Sequence, residues 1–236
     1  MSSHLNRKDL KKDVLAEEVT HGVEYVASHK SQVTRYGLVA LALLVVVGGY
    51  FIYSSRQAAA RQDALRQARR VLNAQIGATA TPPNLSYPTK ADQVKAVTEA
   101  FTKLGDQYAG STEGSIARMY LASQALDRGE VDKSVALYRQ VADNAPKEFE
   151  SSAKLALAQV IWGQGKTEDG KKVLEDLIKS PTSFVSAEQA TLVLARLQLQ
   201  SNPDEARKLL EKLRDSTTTV STLAVEMMGQ LPPKAN

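Results

Sequence analysis

The chain has 236 residues, 43% of them hydrophobic, and a formal net charge of +4. It lacks cysteine, which excludes disulfides, thiolate metal sites and a cysteine nucleophile; its three histidines, His4, His21 and His29, all precede residue 30, so no histidine base or ligand serves the rest of the chain. The charge is local: residues 56–70 hold five arginines against one acid, whereas residues 90–236 hold 19 basic and 20 acidic residues, a balance unlike the spread of cations on a nucleic-acid surface.

Residues 1–35 form an N-terminal tail in which Leu15, Val19, Val23 and Val26 recur at helical spacing among acids and lysines. A short solvated helix, a membrane-surface helix or a docking peptide would each fit this pattern. Residues 36–53 then read YGLVALALLVVVGGYFIY, which is 18 residues without a charge. That is near the lower end of what spans a bilayer core. A soluble helix normally keeps a polar face, and this one has none. A cleaved signal peptide is disfavoured because its charged region would run 35 residues and its apolar region would be overlong. The transmembrane helix is therefore placed at residues 36–54, with Tyr36, Tyr50 and Tyr53 as interfacial anchors and Arg35 and Arg56 closing it. Lys30 and Arg35 precede it, and Arg56, Arg61, Arg66, Arg69 and Arg70 follow. The positive-inside rule thus favours a cytoplasmic body, but long domains translocate largely regardless of charge, so the sequence leaves orientation open.

Residues 55–110 are predicted to hold a juxtamembrane helix over 57–76, a Pro- and Thr-rich loop over 77–89 and a helix over 90–109. In the last, Val94, Val97, Phe101, Leu104 and Tyr108 share one face.

Residues 111–216 repeat. A shift of 36 residues takes Leu121-Ala122 onto Leu157-Ala158, Gly129 onto Gly165, Ser134 onto Gly170 and Tyr138 onto Leu174. A second shift takes Gly170 to Ala206 and Leu174 to Leu210, while Leu194-Ala195 falls one residue late. Self-similarity of this kind marks stacked units, each a pair of antiparallel helices. Gly129 and Gly165 suit the turns, and Pro203 suits a helix start. Ser134, Gly170 and Ala206 are small where two helices cross, and Pro146 and Pro181 punctuate the units. Residues 217–236 are read as a capping helix and a tail, since a terminal repeat must cover an apolar face.

Ala122, Gly129, Ser134, Tyr138 and Pro146 resemble the tetratricopeptide repeat, although the 36-residue spacing and the absence of an early tryptophan depart from it. The fold class expected is all-α: one N-terminal transmembrane helix followed by a tetratricopeptide-like helical-hairpin solenoid. In that family the first helix of each unit lines the concave face. Aligned on the turn glycines, the protein-binding face here comprises Met119, Tyr120 and Ser123, then Leu155, Gln159 and Trp162, then Arg196 and Leu199. Trp162, the one tryptophan, reads either as an interface anchor or as a core residue. The Lys/Asn carboxylate clamp known in some tetratricopeptide domains has no counterpart, so a looser apolar or mixed groove is expected.

No glycine-rich phosphate loop or metal motif is present, and Asp127, Glu130 and Asp132 cluster in a turn rather than a pocket. No catalytic residue, cofactor, metal, nucleic acid or small-molecule substrate is therefore assigned. The whole layout, with a tail HGVEYVASHKSQVTRYG, one membrane helix, an arginine- and alanine-rich helix and repeats, resembles the bacterial single-pass tetratricopeptide proteins that accompany the Sec translocon. This resemblance implies a cytoplasmic tail, an inner-membrane helix and a periplasmic repeat domain. It also implies translocon subunits, a membrane-anchored periplasmic chaperone or unfolded secretory clients as partners. A scaffold of another cell-envelope assembly or division complex is the other reading.

Overall fold

The computed structural model describes residues 30–77, 85–215 and 219–232. The tail pattern before residue 30, most of the Pro- and Thr-rich loop and the start of the C-terminal cap lie outside the described residues. The chain divides into two units, Met1–Ala59 and Ala60–Asn236.

The first unit contains most of helix α1 (Lys30–Leu72), whose N-terminal half is long and apolar enough to cross a membrane. None of its apolar stretch is buried, and Leu38, Leu44, Val46 and Phe51 are each more than 60% exposed. Apolar side chains around the whole circumference leave no polar face for water, as the sequence indicated.

The second unit begins with the end of α1. Two-residue strands β1 (Gln75–Ile76) and β2 (Ser86–Tyr87) follow, paired in parallel with Gln75 opposite Ser86. Eight further helices complete it among the described residues: α2 (Lys90–Gln107), α3 (Thr112–Asp127), α4 (Val131–Asn144), α5 (Lys147–Gly163), α6 (Thr167–Lys179), α7 (Ala187–Gln198), α8 (Pro203–Arg214) and α9 (Thr219–Gly229). The helix expected over 57–76 stops at Leu72. Its end is fixed by a distant side chain: buried Gln93 on α2 donates to the carbonyls of Leu72 (3.0 Å) and Ala74 (2.8 Å), while its Oε1 accepts from Lys90. Helix termini leave carbonyls without intrahelical partners, and Gln93 supplies what the helix cannot.

Helix starts follow local chemistry. Thr89, Ser111, Ser186 and Asn202 each accept from a backbone N–H in the first turn that follows them, and Pro203 occupies the start of α8, where its missing N–H costs nothing. The starts of α4 and α6 have no side-chain cap, and there the preceding turn does the positioning. Gly129 and Gly165 have φ of 75° and 82°. At the first turn Gly129 N–H donates to Leu126 and Glu130 N–H to Ala125; at the second, Gly165 donates to Trp162 and Lys166 to Ile161. Both are Schellman closures, in which a left-handed residue turns the chain while satisfying the last carbonyls. The third hairpin is one residue shorter between its crossing residues and has no glycine; Asn202 N–H donates to Gln198 at 2.8 Å, and its side chain caps α8.

The crossings hold the register read from the repeat. Ser134 and Ala206 are fully buried, and Gly170 is buried against α5. A Cβ on Gly170 would stand 2.9 Å from the backbone oxygen of Ala158 and 3.2 Å from Trp162 Cε3. Side chains of three consecutive helices build each core cluster: α1–α2–α3 around Phe101, α3–α4–α5 around Val141, α5–α6–α7 around Leu174 and α7–α8–α9 around Leu210. Such an array has no single centre and stacks unit on unit. Helix α9 buries Ala224 and Met227 against the end of the array.

Substitutions at two positions separate these effects. Gly170→Ala gains about 1 kcal/mol of helix propensity but drives a methyl group into a backbone oxygen. Overpacking costs about 1–3 kcal/mol, so the melting temperature should fall, and fall further in Gly170→Leu. Ser134 carries the opposite prediction, because its buried Oγ has no hydrogen-bond partner among the described residues. Ser134→Ala removes an unsatisfied hydroxyl and should leave stability unchanged or raise it by about 1 kcal/mol, as read by thermal melting of the three variants beside the unmodified chain.

Candidate protein-interaction face

The first helices of the three units touch from unit to unit, α3 with α5 and α5 with α7. They therefore lie side by side along one surface, and the eight residues expected to bind lie on them or at their ends. Arg196 Nη2 donates to Gln159 Oε1 at 2.5 Å across the α5–α7 boundary, and Gln159 Nε2 also donates to the carbonyl of Leu155 at 3.1 Å. These bonds hold an exposed guanidinium in a fixed orientation, its charge opposed by no carboxylate on the same pair.

Depth varies along the face. Ser123 and Arg196 are exposed; Met119, Tyr120, Leu155, Gln159, Trp162 and Leu199 are half-buried. Met119 packs on the α3–α4–α5 cluster, Leu155 and Trp162 on the α5–α6–α7 cluster, and Leu199 on the α7–α8–α9 cluster. Tyr120 leans back on the preceding hairpin, its ring centroid 4.3 Å from that of Phe101 at an interplanar angle of 33°. Burial pushes its hydroxyl above the usual tyrosine range. The two aromatics of the proposed face thus spend part of their surface on the fold. Trp162 does so against Gly170, the residue that lets α6 approach α5.

The acidic turn between α3 and α4 is held together by ion pairs. Arg128 donates to Glu130 at 2.7 Å and Lys133 lies 3.1 Å from it. These hydrogen bonds hold the Glu130 carboxyl below the ordinary range, whereas a general acid needs the opposite shift. Gln164 Nε2 reaches Asp132 at 3.2 Å, so the second turn is tied to the first. No group of three or more metal-ligating side chains occurs among the described residues.

Other surface features were less visible in the sequence. Phe184 is 52% exposed and meets Phe149 edge-on at 5.4 Å. A cavity of about 420 Å³ opens at the end of α1, lined by Arg66, Arg69 and Arg70. The arginine excess could be counted in the sequence, but only as a topology signal, because nothing local showed that three of the five gather around one opening.

The tetratricopeptide repeat-like domain model matches residues 30–188. That range runs from α1 to the start of α7; the third hairpin and the cap extend beyond it. Comparison with curated proteins and with solved structures returns no match.

The structure divides Trp162 between two roles, which sets an expectation for its truncation. A fully buried tryptophan costs about 3–5 kcal/mol on replacement by alanine. With part of the ring in solvent, Trp162→Ala should cost about 2 kcal/mol, measured as a lowered melting temperature of the full chain in detergent. A larger loss would assign the whole ring to the core and leave the face without an aromatic anchor.

Proposed function

Because the chain belongs to the tetratricopeptide repeat-like family, whose helical repeats are protein-interaction modules, we propose that it is a membrane-anchored binding module assisting secretory proteins or chaperones at the periplasmic side of the Sec translocon. The observation that carries the binding reading is the continuous first-helix surface of α3, α5 and α7. Half-buried Met119, Leu155 and Leu199 alternate there with exposed Ser123 and Arg196. A partly apolar surface with a few oriented polar groups suits contact with protein chains. The apolar half of α1 supports anchoring. The order of tail, apolar helix and repeats supports the translocon setting through its resemblance to the single-pass proteins that work there.

In this reading the repeats supply a fixed surface and the partner supplies the conformational adjustment. Met119 and Leu155 offer apolar area and Arg196 offers a guanidinium that Gln159 keeps from folding back. With a body close to charge balance, recognition depends more on apolar contact than on charge and responds weakly to salt. The tail is placed in the cytoplasm and the repeats in the periplasm.

Two measurements test the proposal. Protease added to spheroplasts should digest the repeat domain while the chain keeps its N-terminal helix; digestion only after inner-membrane lysis would reverse the orientation. Photo-crosslinking groups placed at Ser123 and Arg196 in the full chain should trap translocon subunits, a membrane-anchored chaperone or unfolded secretory proteins. Capture of a stable envelope complex free of translocon subunits would replace this setting with a scaffolding one, and crosslinks from α4 and α6 alone would move binding off the first helices.

A further inference from the structure

The end of α1 holds an unbalanced concentration of positive charge. Residues 64–91 contain Arg66, Arg69, Arg70 and Lys90 and no acid at all, so no side chain of that stretch can neutralise them. Among the described residues Asp63 is the one carboxylate that serves the group: Arg66 Nη2 donates to it at 3.1 Å and Gln67 at 2.8 Å, and Arg70 acts on it only through space. Arg69 makes no ion pair among the described residues. The negative end of the helix accounts for part of this placement. Yet the terminal carbonyls of Leu72 and Ala74 already have the side chain of Gln93, so the guanidiniums are not needed to cap them.

These arginines gather around the cavity of about 420 Å³, whose remaining lining includes the side-chain amides of Asn73 and Gln75 and the apolar Leu85. We propose that this arginine-lined cavity is a second binding site, separate from the first-helix face, and that it takes an acidic segment of a protein partner. Guanidinium groups match carboxylates in a two-pronged geometry, and amides beside them suit a peptide backbone. Its volume lies in the range of sites that enclose a few side chains. Charge complementarity selects the occupant. Among the described residues no aromatic ring lines the cavity, so the described lining offers none of the stacking that single-stranded nucleic acid relies on. Among the described residues, Leu85 and Ala74 are the apolar residues of its lining. The site stands on observations other than those behind the first-helix face.

The test uses the full chain in uncharged detergent and a fluorescent peptide of alternating glutamate and glycine with one leucine. Parallel probes are the same peptide with glutamine for glutamate, a thymidine oligonucleotide and phosphatidylglycerol vesicles. The glutamate peptide should bind and should weaken as salt rises. The double variant Arg69→Gln, Arg70→Gln should lose roughly tenfold in affinity, with melting temperature unchanged because both side chains are exposed. Charge reversal, Arg69→Glu with Arg70→Glu, should transfer preference to a lysine peptide, an outcome that misfolding would not produce. Equal binding of the glutamine peptide, no loss in the double variant or no peptide binding at all would each overturn the proposal. Tighter capture of the oligonucleotide or the vesicles than of the peptide would overturn it in favour of a phosphate-bearing ligand. The first-helix face is untouched by these variants, so crosslinking from Ser123 fails or succeeds independently.

Discussion

Three close crossings govern the repeat unit. At each, a small residue on the second helix meets the first helix of the same hairpin: Ser134, Gly170 or Ala206, all buried. Side-chain size at these points sets the distance between the helix axes, and the larger residues around them pack at the depth this distance allows. At the middle crossing no side chain at all separates α6 from the Ala158 carbonyl. Trp162 fills the space beside it, so the bulkiest side chain of α5 depends on the smallest of α6. Volume rather than hydrogen bonding is what these positions require: the Ser134 hydroxyl finds no partner, and alanine does the same task in the third hairpin.

From those crossings the array extends in both directions without a central core. Because each cluster draws on three successive helices, removing any helix would expose apolar surface on its neighbours, and the ends need special closure. At one end α9 covers α7 and α8. At the other, the last turns of α1 bury Ala68 against α2, and Arg61 lies 3.4 Å from Glu113, whose side chain is only 12% exposed. A carboxylate so covered needs its cation, unlike the exposed pairs Arg66–Asp63 and Lys208–Glu205, which contribute little. Gly114 completes the closure. A Cβ there would fall 2.0 Å from the Tyr108 carbonyl, so the α2–α3 turn admits only glycine at that position.

Much of this was legible in the sequence because it rests on local or periodic signals. The turn glycines and the small crossing residues recur at a fixed spacing, Pro203 marks a helix start, and the structure puts each where the sequence pattern put it. Non-local features were not legible. The end of α1 at Leu72 depends on Gln93, more than 20 residues away, and a two-residue parallel pair carries no pattern of its own. Gly114 sits in the first turn of a helix, where glycine ordinarily reads as a weak position rather than a steric necessity. For the proposed face, alignment on the turn glycines placed the eight residues on α3, α5 and α7 or at their ends but could not give the depth of each. Tyr120 illustrates this: its stacking on Phe101 joins two segments whose aromatic content the sequence showed but whose approach it did not.

That sharing of aromatic surface between fold and face bears on how such a module can bind. A side chain already fixed by packing loses little freedom when a partner covers the rest of it, so Tyr120 and Trp162 offer less area than free aromatics but at a smaller entropic cost. The Gln159–Arg196 bond extends the same logic to a charge, since a guanidinium held in place need not be ordered again. A surface built this way discriminates weakly by shape and tolerates many sequences, because each contact is shallow. The cationic cavity at the end of α1 has a different character: three arginines are concentrated around one opening, with Arg66 held by Asp63. A partner that engaged both would combine a permissive apolar contact with a charge-selective one. Its overall affinity would then depend on whether a single chain can span the two, a question of geometry and linker length rather than of either contact alone.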